Sequence, residues 1–478
     1  MAHFPRILLA VLVAAHLLGF ISLAEAQFET RGTFIADSPA RANAIAVGDF
    51  NHDGKLDLAV VSSCCPNGGV SILLGKGDGT FLPSVNYSAG EQPVSIVAAD
   101  FNGDGNLDLA VANSLRTYVS ILIGNGDGTF QAATQSPPLP GPENFVSVGD
   151  FNNDGKIDIV ALSYQNPCKC ISVLLGNGDG TFQDPVTTEP PSFVATAIGV
   201  GDFNRDGKLD LAAAGTLGSE NTVYILLGNG DGTFEIGASY AGGQEPISIA
   251  VADFNSDQKL DMAIADVYDG INVMMGNGDG TFQAAVAYPL SFTDWVTAVD
   301  LNGDHKIDLV AANSLIALSE LTVFLGNGNG TFQSGKSYPA GTDAYYVAVG
   351  DFNGDGKVDL ATPDNRYDDV VVLLNTGVAS FSPTTPLVFK KQAVGTKSAA
   401  QKVTLTNTGE TPLTIPAMKV AGQFAMSSTC GKGVAAGKSC TISVTFSPQS
   451  QGTKSGTVTI NDSASSKPMV IELSGTGT

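Results

Sequence analysis

The chain has 478 residues, with 24 Lys and Arg against 47 Asp and Glu, for a net charge of −23. That length calls for more than one domain. No Lys/Arg cluster is available to neutralise phosphates, which argues against a nucleic-acid partner.

Residues 1–26 read as a secretion signal. Arg6 precedes an apolar run over 7–21, and Ala24-Glu25-Ala26 forms an A-x-A cleavage site. The run is short for a bilayer span, and an uncleaved anchor is the alternative. Cleavage is expected after Ala26, giving a soluble extracytoplasmic protein (secreted, periplasmic or at the cell surface) that starts at Gln27. No later stretch is long and apolar enough to suggest a transmembrane span.

Asp49-Phe50-Asn51-His52-Asp53-Gly54-Lys55-Leu56-Asp57 comes next. It places carboxylate or amide oxygens at positions 1, 3, 5 and 9 of a tight loop, with glycine at position 6. Oxygens on alternate residues suit a hard cation such as calcium, and position 7 adds a backbone carbonyl. The same nine-residue pattern returns from Asp100, Asp150, Asp202, Asp253, Asp300 and Asp351, at spacings of 51, 50, 52, 51, 47 and 51. The candidate ligands are Asp49, Asn51, Asp53 and Asp57; Asp100, Asn102, Asp104 and Asp108; Asp150, Asn152, Asp154 and Asp158; and Asp202, Asn204, Asp206 and Asp210. The remaining three loops supply Asp253, Asn255, Asp257 and Asp261; Asp300, Asn302, Asp304 and Asp308; and Asp351, Asn353, Asp355 and Asp359. Up to seven Ca2+ ions are expected. Three aspartates in each of seven loops account for 21 of the 47 acidic residues, so the acidity need not imply a basic partner. Gln258 and His305 replace the position-6 glycine in the fifth and sixth loops, where a Cβ in a left-handed turn costs about 1 kcal/mol. Those two sites are expected to be weaker.

A second signature, Gly75-Lys76-Gly77-Asp78-Gly79-Thr80-Phe81, recurs in the next five repeats, and the seventh copy has lost most of its glycines. Its Asn-Gly and Asp-Gly pairs suit hairpin turns. Between the signatures the pattern is β, with four short strands in about 50 residues and no helical period. Seven such units predict an all-β, seven-bladed β-propeller over residues 27–384. Phe50, Phe101, Phe151, Phe203, Phe254 and Phe352 stand at loop position 2, with Leu301 in the sixth, and are expected to pack between blades. Gly32-Thr33-Phe34 is an orphan strand start that could close the ring, with Ser380-Phe381-Ser382 as its competitor.

At these residues the chain resembles the FG-GAP or VCBS-type repeats, which form the seven-bladed propeller of integrin α subunits and many secreted bacterial proteins. The resemblance spans roughly residues 29–384. It implies that the acidic loop joins the first two strands of a blade and binds calcium through the Asp and Asn positions named above. An EF-hand would need flanking helices and a Glu at position 12, where the first copy has Val60.

Residues 385–478 lack acidic loops and alternate in short strands, predicting an immunoglobulin-like β-sandwich. Val388-Phe389 and the stretches 401–409 and 439–448 resemble the modules related to abnormal-spindle/Hydin domains, which implies a spacer or interaction role. Cys430 and Cys440 are expected to form a disulfide in an oxidising compartment. The pairing of Cys64, Cys65, Cys168 and Cys170 stays open.

Catalysis has little to work with: no G-x-S-x-G elbow and no H-E-x-x-H occurs. The expectation is a non-enzymatic calcium-binding module for an extracellular protein or polysaccharide ligand, working in adhesion. Recognition is placed in the loops between second and third strands and between blades, which include 64–69, 114–118, 164–170 and 216–221. The rivals are a carbohydrate-active enzyme or lectin, and a structural envelope component.

Overall fold

The computed structural model describes residues 27–35, 41–63, 68–163, 170–189, 194–217, 220–314, 319–367, 369–375, 379–382, 386–407, 413–435, 437–461 and 468–478. The secretion signal expected over 1–26 lies outside these residues. So do residues 64–67, 164–169 and 218–219 of the expected recognition loops, with Cys64, Cys65 and Cys168 among them.

Seven four-stranded antiparallel sheets follow one another at the period of the acidic loops. In blade one the strands are Arg41–Gly48, Asp57–Ser63, Gly68–Leu73 and Val85–Gly90, from inside to outside. The second strand is buried along nearly its whole length in every blade, as in Asp108–Asn113 and Asp158–Ser163. It therefore reads as a continuous run of Ala, Val, Leu and Ile rather than as an alternating one. Inner strands are Ala- and Gly-rich because a side chain there meets the next blade. A Cβ on Gly149 would come within 2.5 Å of Leu209.

The last blade is completed from the N-terminus. Phe28–Ile35 pairs antiparallel with Asp369–Asn375, Phe28 opposite Asn375 and Ile35 opposite Asp369. Gly32-Thr33-Phe34 thus supplies the outer strand that closes the ring. The competing segment goes elsewhere: Ala379–Ser382 pairs with Gln401–Asn407 of the sandwich. The sandwich sheet therefore reaches back across the boundary expected at 384/385.

The C-terminal domain has two four-stranded sheets around Val403, Leu405, Ile442, Val444, Phe446, Val458 and Ile460. Cys430 and Cys440 are bonded there, with 4.9 Å between their Cα atoms. Cys170 is buried and disulfide-bonded.

The blades are joined by a repeated seam. Phe130 of blade two meets Phe50 of blade one edge-to-face at 5.5 Å, and Phe182 meets Phe101 at 5.6 Å. Phe234 with Phe151, Phe282 with Phe203 and Phe332 with Phe254 continue the series, and Phe81 on Phe352 joins blade one to blade seven. Such pairs add about 0.5–1.5 kcal/mol beyond the area they bury. The position-2 rings thus pack between blades.

Candidate metal loops

Each acidic loop joins the inner strand of its blade to the second strand. In the first, Asp49 accepts the N–H groups of Asp53 at 3.1 Å and Gly54 at 2.8 Å, one on each carboxylate oxygen. Asn51 Oδ1 accepts the same Asp53 N–H at 3.0 Å, and Asp53 Oδ1 accepts the N–H of Lys55 at 3.0 Å. The alternating side chains thus fold inward and hold the turn, using donors that no strand satisfies. The loops from Asp150 and Asp202 repeat the same bonds.

Position 9 is different. Asp57 is fully buried, and its two oxygens accept the N–H of Phe50 at 2.9 Å and of Gly75 at 2.7 Å. It staples the start of its own loop to the start of the hairpin turn. All seven copies do this; Asp308 takes Leu301 and Gly326, and Asp359 takes Phe352 and Asn375. Burial pushes the Asp57 carboxyl up to about 6, with the charges of Asp53 and Asp49 pushing the same way. For the same reasons Asp308 reaches about 7 and Asp359 about 8. The sequence marks position 9 as a ligand; its role as a structural staple is not visible there.

Position 5 faces a lysine in six of the seven loops. Lys55 lies 3.0 Å from Asp53, Lys259 3.2 Å from Asp257 and Lys306 3.0 Å from Asp304. Lys55 holds the Asp53 carboxyl below the usual range. The second loop has Asn106 at that place, and His52 Nε2 meets Asn106 Oδ1 at 2.9 Å, linking loops one and two. A lysine two residues after position 5 was legible in the sequence as a repeated partner.

Two positions in every loop are left-handed. Position 6 carries Gly54 at φ 80°, Gln258 at 67° and His305 at 63°. Position 4 does the same with His52, Gly103, Asn153, Arg205, Ser256, Gly303 and Gly354. A Cβ on Gly54, Gly105, Gly155 or Gly207 meets nothing within 4 Å, so Gln258 and His305 fit sterically and their cost is conformational.

The second signature is a turn. Asp78 Oδ1 accepts the Thr80 N–H at 3.0 Å and its hydroxyl at 2.6 Å. Asp127, Asp179, Asp231 and Asp279 repeat this, and Asn329 does it as an amide.

The donor set consists of oxygens alone, and the charges of positions 1 and 5 act on the carboxylate of position 9. Those features fit a hard divalent cation. In the described conformation position 5 turns to lysine and position 9 to two amides. Among the described residues no three His, Cys, Asp or Glu side chains gather as a metal-binding group.

A seven-bladed ring of four-stranded units, each carrying this loop, defines a class of repeat propellers. The FG-GAP-like repeat family matches over residues 49–111, 101–161, 150–213, 202–264, 253–311 and 300–362, and the chain belongs to it. Residues 375–470 match the Abnormal spindle-like microcephaly-associated, ASPM-SPD-2-Hydin family. The chain is 29% identical over 182 residues to cartilage acidic protein 1 of Xenopus tropicalis, covering 35% of this chain and 28% of that protein. It is 24% identical over 199 residues to the Homo sapiens protein of the same name, covering 39% and 30%. It therefore spans less than a third of the curated relatives it matches. A solved Bacteroides fragilis structure, a candidate 6-phosphogluconolactonase, overlays with a TM-score of 0.49 at 16% identity, covering 68% of this chain and 95% of that one. That overlay carries no argument about activity. Among the described residues no helix is long and apolar enough to cross a membrane.

Proposed function

We propose that this chain is an extracytoplasmic, calcium-stabilised propeller that binds an extracellular protein or polysaccharide, in adhesion rather than catalysis. The observation that carries the reading is the sevenfold loop of oxygen donors, whose position-9 carboxylate feels the charges of positions 1 and 5. A divalent ion offsets that repulsion. It competes with the position-7 lysine for the position-5 carboxylate, so affinity is set loop by loop. Similarity to proteins named for cartilage supports the extracytoplasmic part of the reading.

The test is calcium calorimetry joined to thermal melts with and without chelator. Binding heats with a raised melting temperature support the reading. Equal melts and no heat leave the loops as self-satisfied acidic turns and overturn it.

A further inference from the structure

The acidic loops occupy one end of every blade. The opposite end is formed where inner strands begin and second strands finish. In blade six Thr293 pairs with Asn313 at that end, and Val299 pairs with Asp308 beside the acidic loop. Four aromatic side chains are exposed among the described residues: Tyr268 at 58%, Phe292 at 46%, Tyr345 at 38% and Tyr367 at 62%. All four stand at this opposite end, in blades five, six and seven and the links between them.

Hydrogen bonds join them into one arc. The Phe292 N–H donates to the carbonyl of Val267, next to Tyr268, at 2.7 Å. The Ser314 N–H donates to the Phe292 carbonyl at 3.1 Å. Tyr345 comes beside the same place, where Asp343, Asp294 and Ser314 all act on its hydroxyl. The Asn365 N–H donates to the Asp343 carbonyl at 3.1 Å, two residues before Tyr367. Elsewhere among the described residues of the ring, aromatic side chains are packed into seams or half-covered. Partly exposed rings forgo some of the burial that would stabilise the fold, so the gathering of these four in one arc marks a contact surface.

Several of the arc's carboxylates are committed to its own loops. Asp266 accepts the N–H groups of Glu245, Tyr268 and Asp269. Asp364 accepts those of Thr342 and Arg366, and Asp294 that of Ser314. These acids shape the turns, and the rings are what the turns present. Flat rings separated by hydroxyl, amide and carboxylate groups do not form one continuous apolar patch of the kind a protein core would cover. They do match sugars. The polarised C–H face of a pyranose packs on the negative face of an aromatic ring, and its hydroxyls donate to the acceptors between rings.

We propose that this arc binds an extended neutral polysaccharide, with successive sugar rings stacked on Tyr268, Phe292, Tyr345 and Tyr367. The proposal rests on the binding-module reading and names its ligand class and face. The arc lies at the end expected from sequence, in loops between second and third strands and between blades, but in blades five to seven rather than in the loops of blades one to four named there.

The experiment is affinity electrophoresis of the full chain through separate gels of xylan, mannan and mixed-linkage β-glucan, with polylysine as a cationic comparison. The test variant combines Tyr268→Ala, Phe292→Ala and Tyr367→Ala. The control combines Val85→Ala and Val286→Ala, exposed apolar positions on outer strands. At least one neutral polysaccharide retards the native chain and the control. The ring variant, with an unchanged melting temperature, binds at least tenfold more weakly. Retardation by none of the three, equal retardation of the ring variant, or retention by polylysine alone overturns the proposal. Calcium heats are measured on the same samples. A chain that binds calcium but no polysaccharide sinks this proposal and spares the calcium reading, and the reverse result does the opposite.

Discussion

The side-chain amide of Asn375 donates to the main-chain carbonyl of Leu301 at 2.7 Å, across the seam between blades six and seven. At the other six seams a glycine N–H makes this bond, as Gly79 does to Phe352 and Gly128 to Phe50. Blade seven has lost the glycine-rich turn, and a side chain has taken over its hydrogen bond. The same amide also reaches the Val358 carbonyl at 3.1 Å.

Asn375→Ala should therefore open the last seam. It leaves the carbonyls of Leu301 and Val358 short of a donor in a buried place, which costs about 1–3 kcal/mol. Urea unfolding should show the loss, and exchange protection should fall first in blades six and seven. An unchanged midpoint would mean that water replaces the amide without penalty.

Positions 5 and 9 should separate structure from metal binding. Asp158 is fully buried and accepts the N–H groups of Phe151 and Gly176, both at 2.8 Å. Asp158→Asn turns one acceptor into a donor facing an N–H, so about 1–3 kcal/mol should be lost even in chelator. Asp154 is exposed and pairs with Lys156 at 3.7 Å. Its replacement by Asn should matter little in chelator, since exposed pairs contribute about 0–1 kcal/mol, and should lower the melting temperature only when calcium is present. Equal losses for both variants in chelator would dissolve the distinction.

The sequence made much of this legible because the fold repeats. Asp at positions 1, 5 and 9 and the turn glycines recur in register, which gives blade number, loop placement and the seam rings. Position 4 was not legible. His52, Asn153, Arg205 and Ser256 all adopt positive φ there, yet share no chemistry that marks it. The conformation is imposed by the inward hydrogen bonds around it, and the residue only has to tolerate it. Asn375 was hidden for a related reason: it replaces a main-chain donor, and main-chain donors leave no trace in composition. The exposed arc depends on which rings the packing leaves uncovered, which periodicity cannot show.

Loop five carries two left-handed residues with side chains, Ser256 at φ 59° and Gln258 at 67°, whereas loops two and seven carry glycine at both places. Gln258→Gly should stabilise the chain by about 1 kcal/mol, and Gly356→Ala should cost a similar amount. Thermal melts in chelator are the measurement. A Gln258→Gly variant that melts lower would mean the side chain makes a contact that outweighs its backbone cost.

Glu143 sets a pH dependence. It is fully buried at the start of the inner strand of blade three, and neither carboxyl oxygen has a partner. Burial pushes its carboxyl from the ordinary 4.5 up to about 8. The folded chain then holds a proton that the unfolded chain releases, so this contribution is complete below about 4.5 and is lost as pH rises toward about 8. The buried position-9 aspartates slope the same way, so the difference between native chain and Glu143→Gln is the informative quantity. The variant should gain on the native chain steadily from pH 5 to pH 8. Parallel stability curves would show that Glu143 is ionised in the fold throughout.

The loops should fill with calcium in an order set by strain and by lysine. Ligand that binds only the native state stabilises it by RT ln(1 + [L]/Kd), about 2.7 kcal/mol at a hundredfold excess over Kd. Two terms subtract from affinity in a given loop: holding side-chain residues in the left-handed region, and displacing the position-7 lysine from position 5. Loop two escapes both, with Gly103, Gly105 and Asn106. Loop five meets both, with Ser256, Gln258 and Lys259 3.2 Å from Asp257. Asp100→Ala should therefore remove the tightest calorimetric step, and Asp253→Ala only a weak one. Lys55→Gln should tighten loop one, because Asp53 then has no internal cation to give up. An isotherm in which Asp100→Ala and Asp253→Ala delete equivalent steps would show that neither strain nor lysine sets the order.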